Sequence, residues 1–348
     1  MLAGSDEPLW SAYDVAMLDL DGVVYVGREG VPGATDHLAS AREAGMHLAY
    51  VTNNASRPPS AVAQHLRDLD IPVDDADVVT SAQAAARLLA GQLPHGAAVF
   101  VIGGEGLEVA LRDQGLRPVQ ERAATPAAVV SGFSAALRWA TVIEGAILVR
   151  DGLPWVASNT DLTVPTPHGP GPGNGALVGV VARFAEREPV VAGKPRPPLF
   201  EETLRRVGGH RPLVVGDRLD TDIEGANATG YDSLLVMTGV TGVPELVAAA
   251  PALRPTYVAA DLGALGRVQR APQVEHEAVV DGRWRATVED GALRVATEGD
   301  DDDPLTDGWW RVVAAAGWRH LDATGEVVDV SGLQPPSSVA AEPTAGRG

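Results

Sequence analysis

Short apolar runs, each followed by a stretch with helical spacing, recur along this chain and leave few folds open to it. The first run, "YDVAMLDL" at 13–20, precedes "GATDHLASAREAG" at 33–45, where Leu38 and Ala41 share a helical face and Gly45 stands in the stop position. "HLAYVTNN" at 47–54 reads as the next strand, and "SAVAQHLRDLD" at 60–70 spaces Val62, Leu66 and Leu69 helically after Pro58 and Pro59. "DVVTS" and "AQAAARLLAG" repeat the unit. The pattern resumes with "PLFEETLRRVGG", "RPLVVGD", "LDTDIEGANATG", "DSLLVMTG", "VPELVAAA" and "PTYVAAD". Strands alternating with helices predict a parallel sheet joined by right-handed crossovers, an α/β fold.

With 348 residues the chain has room for about two or three domains. Residues 84–189, containing the strand "AAVFVIGG", interrupt the repeating pattern and are expected to form a separate αβ domain inserted in a core of 10–83 and 190–270. After residue 271 the texture changes. "HEAVVDGRWRATVEDGALRVATEG" alternates apolar and polar residues around Asp290-Gly291 and predicts antiparallel hairpins. An acidic loop "DDDDP" and a helix in "LTDGWWRVVAAAGWRHL" follow, so 272–333 is expected to be a small α+β extension. The Pro, Ser, Ala and Gly-rich 334–348 is expected to be disordered.

The net charge is −19, an unfavourable field for nucleic acid or an anionic lipid surface, and neither partner is expected. The chain lacks an apolar run of membrane-spanning length, and "MLAGSDEPLW" lacks the basic-then-apolar layout of a signal peptide, so a cytoplasmic location is expected. With no cysteine, thiolate metal sites and cysteine nucleophiles are excluded.

Three strand-like runs end in groups able to do chemistry. Asp19 and Asp21 close the first run, and Gly22 lets the chain turn. Ligands of open αβ sheets bind at the carboxyl ends of strands. Two ionised carboxylates this close need a cation, and hard oxygen donors suit Mg²⁺. Thr52, Asn53 and Asn54 end the second run; a hydroxyl and free amides there suit a phosphate, although "TNN" is also ordinary loop composition. Asp217 follows Gly216 at the end of another buried run, with Asp220 and Asp222 in the next turn; helix capping explains Asp220 well and Asp217 poorly. Lys194, the single lysine among 27 Lys and Arg residues, lies in "VVAGKPRPP". Its compact charge suits a crowded site better than an arginine fork.

In order and spacing, "DLDGV", "VTNN", "GKP" and "GDRLDTDI" resemble the four motifs of the haloacid dehalogenase-like (HAD) superfamily. "TSAQAAARLL", "VIGGEGL", "NTDLTVPTP", "PGNGAL" and "LLVMTGVT" are similar to the 4-nitrophenylphosphatase, NagD and pyridoxal phosphatase subfamily, which carries a large αβ cap where 84–189 stands. The resemblance covers roughly 13–268 and implies a Rossmann-like parallel-sheet core with an inserted cap. It implies Asp19 as nucleophile forming an aspartyl-phosphate, and Asp21 as general acid and base. Gly22, Thr52, Asn53 and Asn54 would bind the phosphoryl group, and Lys194 would steady Asp19 and the phosphate. Asp19, the Asp21 carbonyl and Asp217 would hold Mg²⁺, with Asp222 orienting the metal's waters. Aspartate at position 21 looks like a phosphatase, since phosphate-pumping ATPases carry Thr there and dehalogenases lack the acid.

The Gly104-x-Gly106 in "VIGGEGLEVAL" falls short of a dinucleotide fingerprint, because Val109 takes the third glycine position; a tight strand-to-helix turn is expected. "NTDLTVPTPHGPGPGNG" reads as a long loop; Asn159 and Asp161 look like cap-positioning residues, and His168 is a candidate substrate contact. The extension looks like the acetyltransferase-like addition on some actinobacterial members similar to glycerol 3-phosphate phosphatases, without a Gly-rich loop for acetyl-CoA. Its four tryptophans fit docking and packing equally.

The expected protein is thus a Mg²⁺-dependent hydrolase of a small phosphomonoester, glycerol 3-phosphate or 2-phosphoglycolate first, a nucleoside monophosphate or pyridoxal phosphate second. A homodimer formed through the cap is part of the expectation. The competing class is a binding or regulatory module that keeps the fold without turnover.

Overall fold

The computed structural model describes residues 2–166, 168–297 and 306–336. The acidic "DDDDP" stretch and residues 337–348 of the tail expected to be disordered lie outside the described residues. The chain divides into two compact units, Met1–His47 with Arg211–Gly348, and Leu48–His210. The expected cap falls inside the second unit, and the expected extension inside the first.

In the first unit, strands Val15–Leu18, Pro212–Gly216, Asp232–Val236 and Tyr257–Ala259 pair side by side, all parallel. Every residue of Val15–Leu18 and Pro212–Gly216 is buried, as strands covered on both faces must be. Register places Leu18 opposite Val215 and Gly216 opposite Leu235. The strands therefore end together, and Asp19, Asp217 and Met237 leave from one edge. The expected helices appear as Ala34–Glu43, Glu224–Thr229 and Val243–Val247.

The extension is part of this unit's core. Strands Gln273–Glu275, Ala278–Asp281, Trp284–Glu289 and Ala292–Thr297 form an antiparallel sheet, turned at Asp290-Gly291 with φ of 48° and 76°, the two positive values a tight hairpin turn requires. Helix Asp307–Thr324 ends at Gly325 in the left-handed conformation. Its Trp309, Trp310, Val312, Val313 and Trp318 join Leu235, Leu246, Val247 and Val258 in one buried cluster. Packing thus accounts for three of the four tryptophans, and Trp284 lies partly buried against the same cluster. Arg311 Nε donates to Asp281 Oδ2 at 2.5 Å, and Asp307 Oδ2 pairs with Arg267 at 2.8 Å.

In the second unit, Tyr50, Val51 and Thr52 of strand His47–Thr52 pair in parallel with Val78, Val79 and Thr80. Helix Ser81–Ala90 starts on a reciprocal cap: Gln83 N donates to Thr80 Oγ1 and Thr80 N to Gln83 Oε1. A five-stranded parallel sheet follows, ordered Val190–Val191, Trp155–Ala157, Ala128–Ser131, Ala98–Ile102, Arg117–Val119. Helices Trp139–Arg150 and Asn174–Ala185 bury Val142, Ala146, Val149, Val178 and Val181 in a core with Phe100 and Val129. The Gly104-x-Gly106 turn opens helix Glu105–Asp113 as expected, and a Cβ at Gly106 would collide with the carbonyls of Ala55 and Arg57. One expectation fails. Within the presumed loop, Thr163–Thr166 and Gly169–Pro172 form an antiparallel hairpin, because backbone pairing does not need the apolar alternation by which strands are recognised.

Candidate active site

Each unit carries one cluster of the residues singled out by sequence. In the first unit, Asp19 N donates to Val215 O at 2.8 Å, which carries the ladder one residue past the strand Val15–Leu18. Gly22 then turns at φ +86°, its N–H donating to Tyr25 O at 2.8 Å. Asp217 is fully buried behind Gly216, and Asp222, also fully buried, comes from the wide turn Leu219–Ile223 with Oδ2 accepting from Arg218 N at 3.2 Å. Asp19, Asp217 and Asp222 each offer a carboxylate oxygen lying within 4.8 Å of the others.

Three carboxylates this close, two of them buried, repel one another unless a cation lies among them. Glycines clear their space: a Cβ at Gly22 would lie 2.5 Å from Asp217 Oδ2, and one at Gly239 or Gly216 would overlap the Asp217 or Asp222 carboxylate. An all-oxygen donor set in such a cradle fits a hard divalent ion. Asp21 stands outside the trio and its residue is exposed. The strand stops at Leu18, so the two-residue alternation that would aim both acids alike no longer operates at Asp21. Asp220 pairs on the surface with Arg218 at 2.8 Å.

The second unit gathers the other set around Asn53. Its Oδ1 accepts from Lys194 N at 2.8 Å, while its Nδ2 donates to Lys194 O and to Asp161 Oδ1, both at 3.1 Å. Lys194 Nζ donates to Val51 O at 3.2 Å with the residue 3% exposed. Thr52 is buried, and its Oγ1 accepts from Asn54 N at 3.1 Å. Asn54 Oδ1 turns the following chain by accepting from Ser56 N and Oγ. Asn159 Nδ2 donates to Asn53 O at 2.7 Å, so Asn159 and Asp161 both tie the later chain to the Asn53 turn. His168 sits exposed near the hairpin tip, its N–H donating to Thr166 Oγ1.

Sequence reasoning missed several supports. Ser81 Oγ donates to Asn53 O at 2.6 Å, and Asn174 Nδ2 to Asn159 O at 2.6 Å. The segment after strand Asp232–Val236 holds the acid cluster: Thr238 Oγ1 donates to Gly22 O at 2.6 Å, and Val240 N to Asp217 Oδ2 at 2.6 Å. "LLVMTGVT" carried the signal, a Thr- and Gly-rich turn after an apolar run, without a hint of what it would touch.

Two family models match the chain, haloacid dehalogenase-like hydrolase over 16–117 and HAD-hydrolase-like over 191–265. The D-glycerol 3-phosphate phosphatase of Mycobacterium tuberculosis is 44% identical over 311 residues, 88% of this chain and 86% of that protein. The crystal structure of the M. tuberculosis glycerol phosphate phosphatase with magnesium superposes with a TM-score of 0.80 at 43% identity, covering 90% of this chain and 92% of that one. A 4-nitrophenylphosphatase from Thermotoga maritima superposes at 0.69 with 28% identity, covering 74% of this chain and 98% of its own.

Proposed function

We infer the activity from the family to which this chain belongs, the haloacid dehalogenase-like hydrolases: it is a Mg²⁺-dependent phosphoric monoester hydrolase. The observation that carries the reading is the convergence of Asp19, Asp217 and Asp222 in a glycine-lined cradle. We assign the metal to Asp19, Asp217 and the Asp21 carbonyl, with Asp222 beside them. Bound there, Mg²⁺ would neutralise charge on the phosphoryl oxygens.

The chain's own groups perform the proton and bond changes. The Asp19 carboxylate attacks phosphorus as the bond to the leaving oxygen breaks, giving an aspartyl-phosphate. Asp21, outside the carboxylate trio and exposed, protonates the leaving alkoxide. It then takes a proton from the water that attacks phosphorus, and the Asp19–phosphate bond breaks to release inorganic phosphate. Gly22, Thr52, Asn53 and Asn54 are assigned to the phosphoryl oxygens, and Lys194 to the charge shared by nucleophile and phosphate. Support for the second group is the hydrogen-bond network that fixes Asn53 to the buried Lys194.

The substrate we propose is glycerol 3-phosphate, ahead of 2-phosphoglycolate, because the relative matching this chain over 88% of its length acts on D-glycerol 3-phosphate. A nucleoside monophosphate is the second reading, favoured by the Bacillus subtilis 5′-nucleotidase, 36% identical over 66% of this chain. Residues 84–189 are proposed as the cap, with Asn159 and Asp161 positioning it and His168 facing substrate. No helix among the described residues is long and apolar enough to cross a membrane, and a cytoplasmic enzyme of small metabolites is part of the proposal. Self-association through the cap is another part; Trp139, Ile143, Val180 and Phe184 leave large apolar surface exposed on its helices.

Phosphate release from glycerol 3-phosphate, 2-phosphoglycolate and a nucleoside monophosphate, with Mg²⁺ and with chelator, tests the activity. Turnover is expected only with Mg²⁺, absent in Asp19→Asn and about 10²–10⁴-fold lower in Asp21→Asn. Wild-type turnover by Asp19→Asn would end the covalent assignment, and no release from any phosphomonoester would favour a binding module.

A further inference from the structure

The acid cluster and the C-terminal extension are joined by one short piece of chain. Segment 238–241 holds the cluster from one side. Thr238 Oγ1 donates to Gly22 O, fixing the turn that follows Asp21, and Val240 N donates to Asp217 Oδ2, each at 2.6 Å. Thr241 donates twice to Asp217 O, from Oγ1 at 2.5 Å and from N at 3.2 Å. One loop thus sets the carboxylate and the backbone of Asp217 together with the Gly22 turn.

That loop is anchored at both ends. Upstream, Met237 N donates to Ala259 O at 3.0 Å. Downstream it runs into helix Val243–Val247, a helix too short to hold itself in place. The extension supplies the hold. Trp318 Nε1 donates to Leu246 O at 2.7 Å inside the buried cluster shared by Leu246, Val247, Trp309, Val313 and Trp318. Gly317 lets helix Asp307–Thr324 approach closely, since a Cβ there would lie 2.7 Å from Val247 Cβ.

We propose that the C-terminal extension is a positioning part of the catalytic centre. Trp318 and its helix hold Leu246 and Val247, these hold loop 238–241, and the loop presents Asp217 and the Gly22 turn to the divalent ion. Trp318 is a positioning residue, acting only through that loop. The inference rests on the reading of Asp217 as a metal-binding acid.

Calorimetric titration of Mg²⁺ into the full chain without substrate tests it, alongside kcat and KM for the phosphomonoester. Trp318→Phe keeps a ring and removes the donor. It should weaken Mg²⁺ binding roughly 2- to 30-fold, the range in which substitutions away from a site modulate it, with KM unchanged. Amide exchange at Val240 and Thr241 should quicken in the same variant. Thr241→Val should also weaken Mg²⁺ binding, Thr241→Ser should restore it, and the double variant with Trp318→Phe should lose less than the product of the single losses. Where Trp318→Phe does not fold, Val247→Ala carries the same test. Wild-type Mg²⁺ affinity in Trp318→Phe, or losses that simply multiply, overturns the inference alone. A wild-type chain that binds no Mg²⁺ overturns the metal reading as well.

Discussion

At the scale of single residues, Lys194 shows how local packing limits chemistry. It is the one lysine beside 26 arginines, and its residue is 3% exposed. Its main chain is held on both sides by the Asn53 amide, and a Cβ at the preceding Gly193 would lie 2.5 Å from both Asn53 Oδ1 and Ser158 O. Little room is left for the backbone to shift. An ammonium on a thin stem reaches Val51 O from there; a guanidinium is broader, planar and bound to a fixed fork. Lys194→Arg keeps the charge and changes only its shape. It should lower kcat about 10²–10³-fold, the size of losing one oriented electrostatic contact, and overpacking by the broader head should cost about 1–3 kcal/mol of stability as well. Full activity in Lys194→Arg would show that charge alone suffices.

At the scale of elements, helix Pro197–Val207 carries a buried glutamate, Glu202, paired with two partly exposed arginines, and its titration can be followed. Burial pushes the Glu202 carboxyl up, but bonds from Arg205 and Arg206, at 2.7 and 2.6 Å, outweigh it and leave the group below its ordinary value. A depressed folded-state value means that the stabilisation is fully present above the unfolded value of 4.5 and is lost as pH falls through the folded one. Glu202→Gln should therefore cost about 1–3 kcal/mol near neutral pH, and the difference from wild type should shrink in acid, below that window. Denaturant titrations at neutral and acid pH check this; a gap that grows in acid would reverse the sign. Elements of this kind were legible in sequence to different degrees. The apolar runs ending at Leu18, Thr52 and Gly216 announced buried strands, because a strand covered on both faces must be apolar throughout. The acids that follow two of them, Asp19 and Asp217, could be read as a candidate site, since a carboxylate at the end of a buried run needs a partner; the Thr52 run ends in Asn53 and Asn54 and gave the weaker signal. The hairpin Thr163–Thr166 with Gly169–Pro172 was not legible, as Gly and Pro hide the alternation. The hold of loop 238–241 on Asp217 was hidden too: Val240 contributes a backbone N–H, which every residue but proline has.

At the scale of the molecule, charge and apolar surface act against each other. A net charge of −19 makes any two copies repel. The extension adds to this, with 14 acids and 5 arginines in 272–333, yet it is sealed into the first unit by three buried tryptophans. In the second unit, Trp139 and Ile143 lie four apart on one helix, and Val180 and Phe184 four apart on the next, with Trp139 62% and Phe184 49% exposed. Side chains four apart share a helical face, and exposed apolar residues grouped this way form the candidate surface for the proposed self-association. If two copies meet there, apolar burial drives the contact and long-range repulsion opposes it. Salt screens the repulsion and leaves the burial intact, so added salt should strengthen the dimer, the reverse of an interface built on ion pairs. Sedimentation equilibrium at low and high ionic strength should show a monomer–dimer balance shifting toward dimer with salt, and Trp139→Ser with Phe184→Ser should remain monomeric at both. A dimer that salt dissociates would point to charged contacts instead, and one that survives the double substitution would place the interface away from these helices.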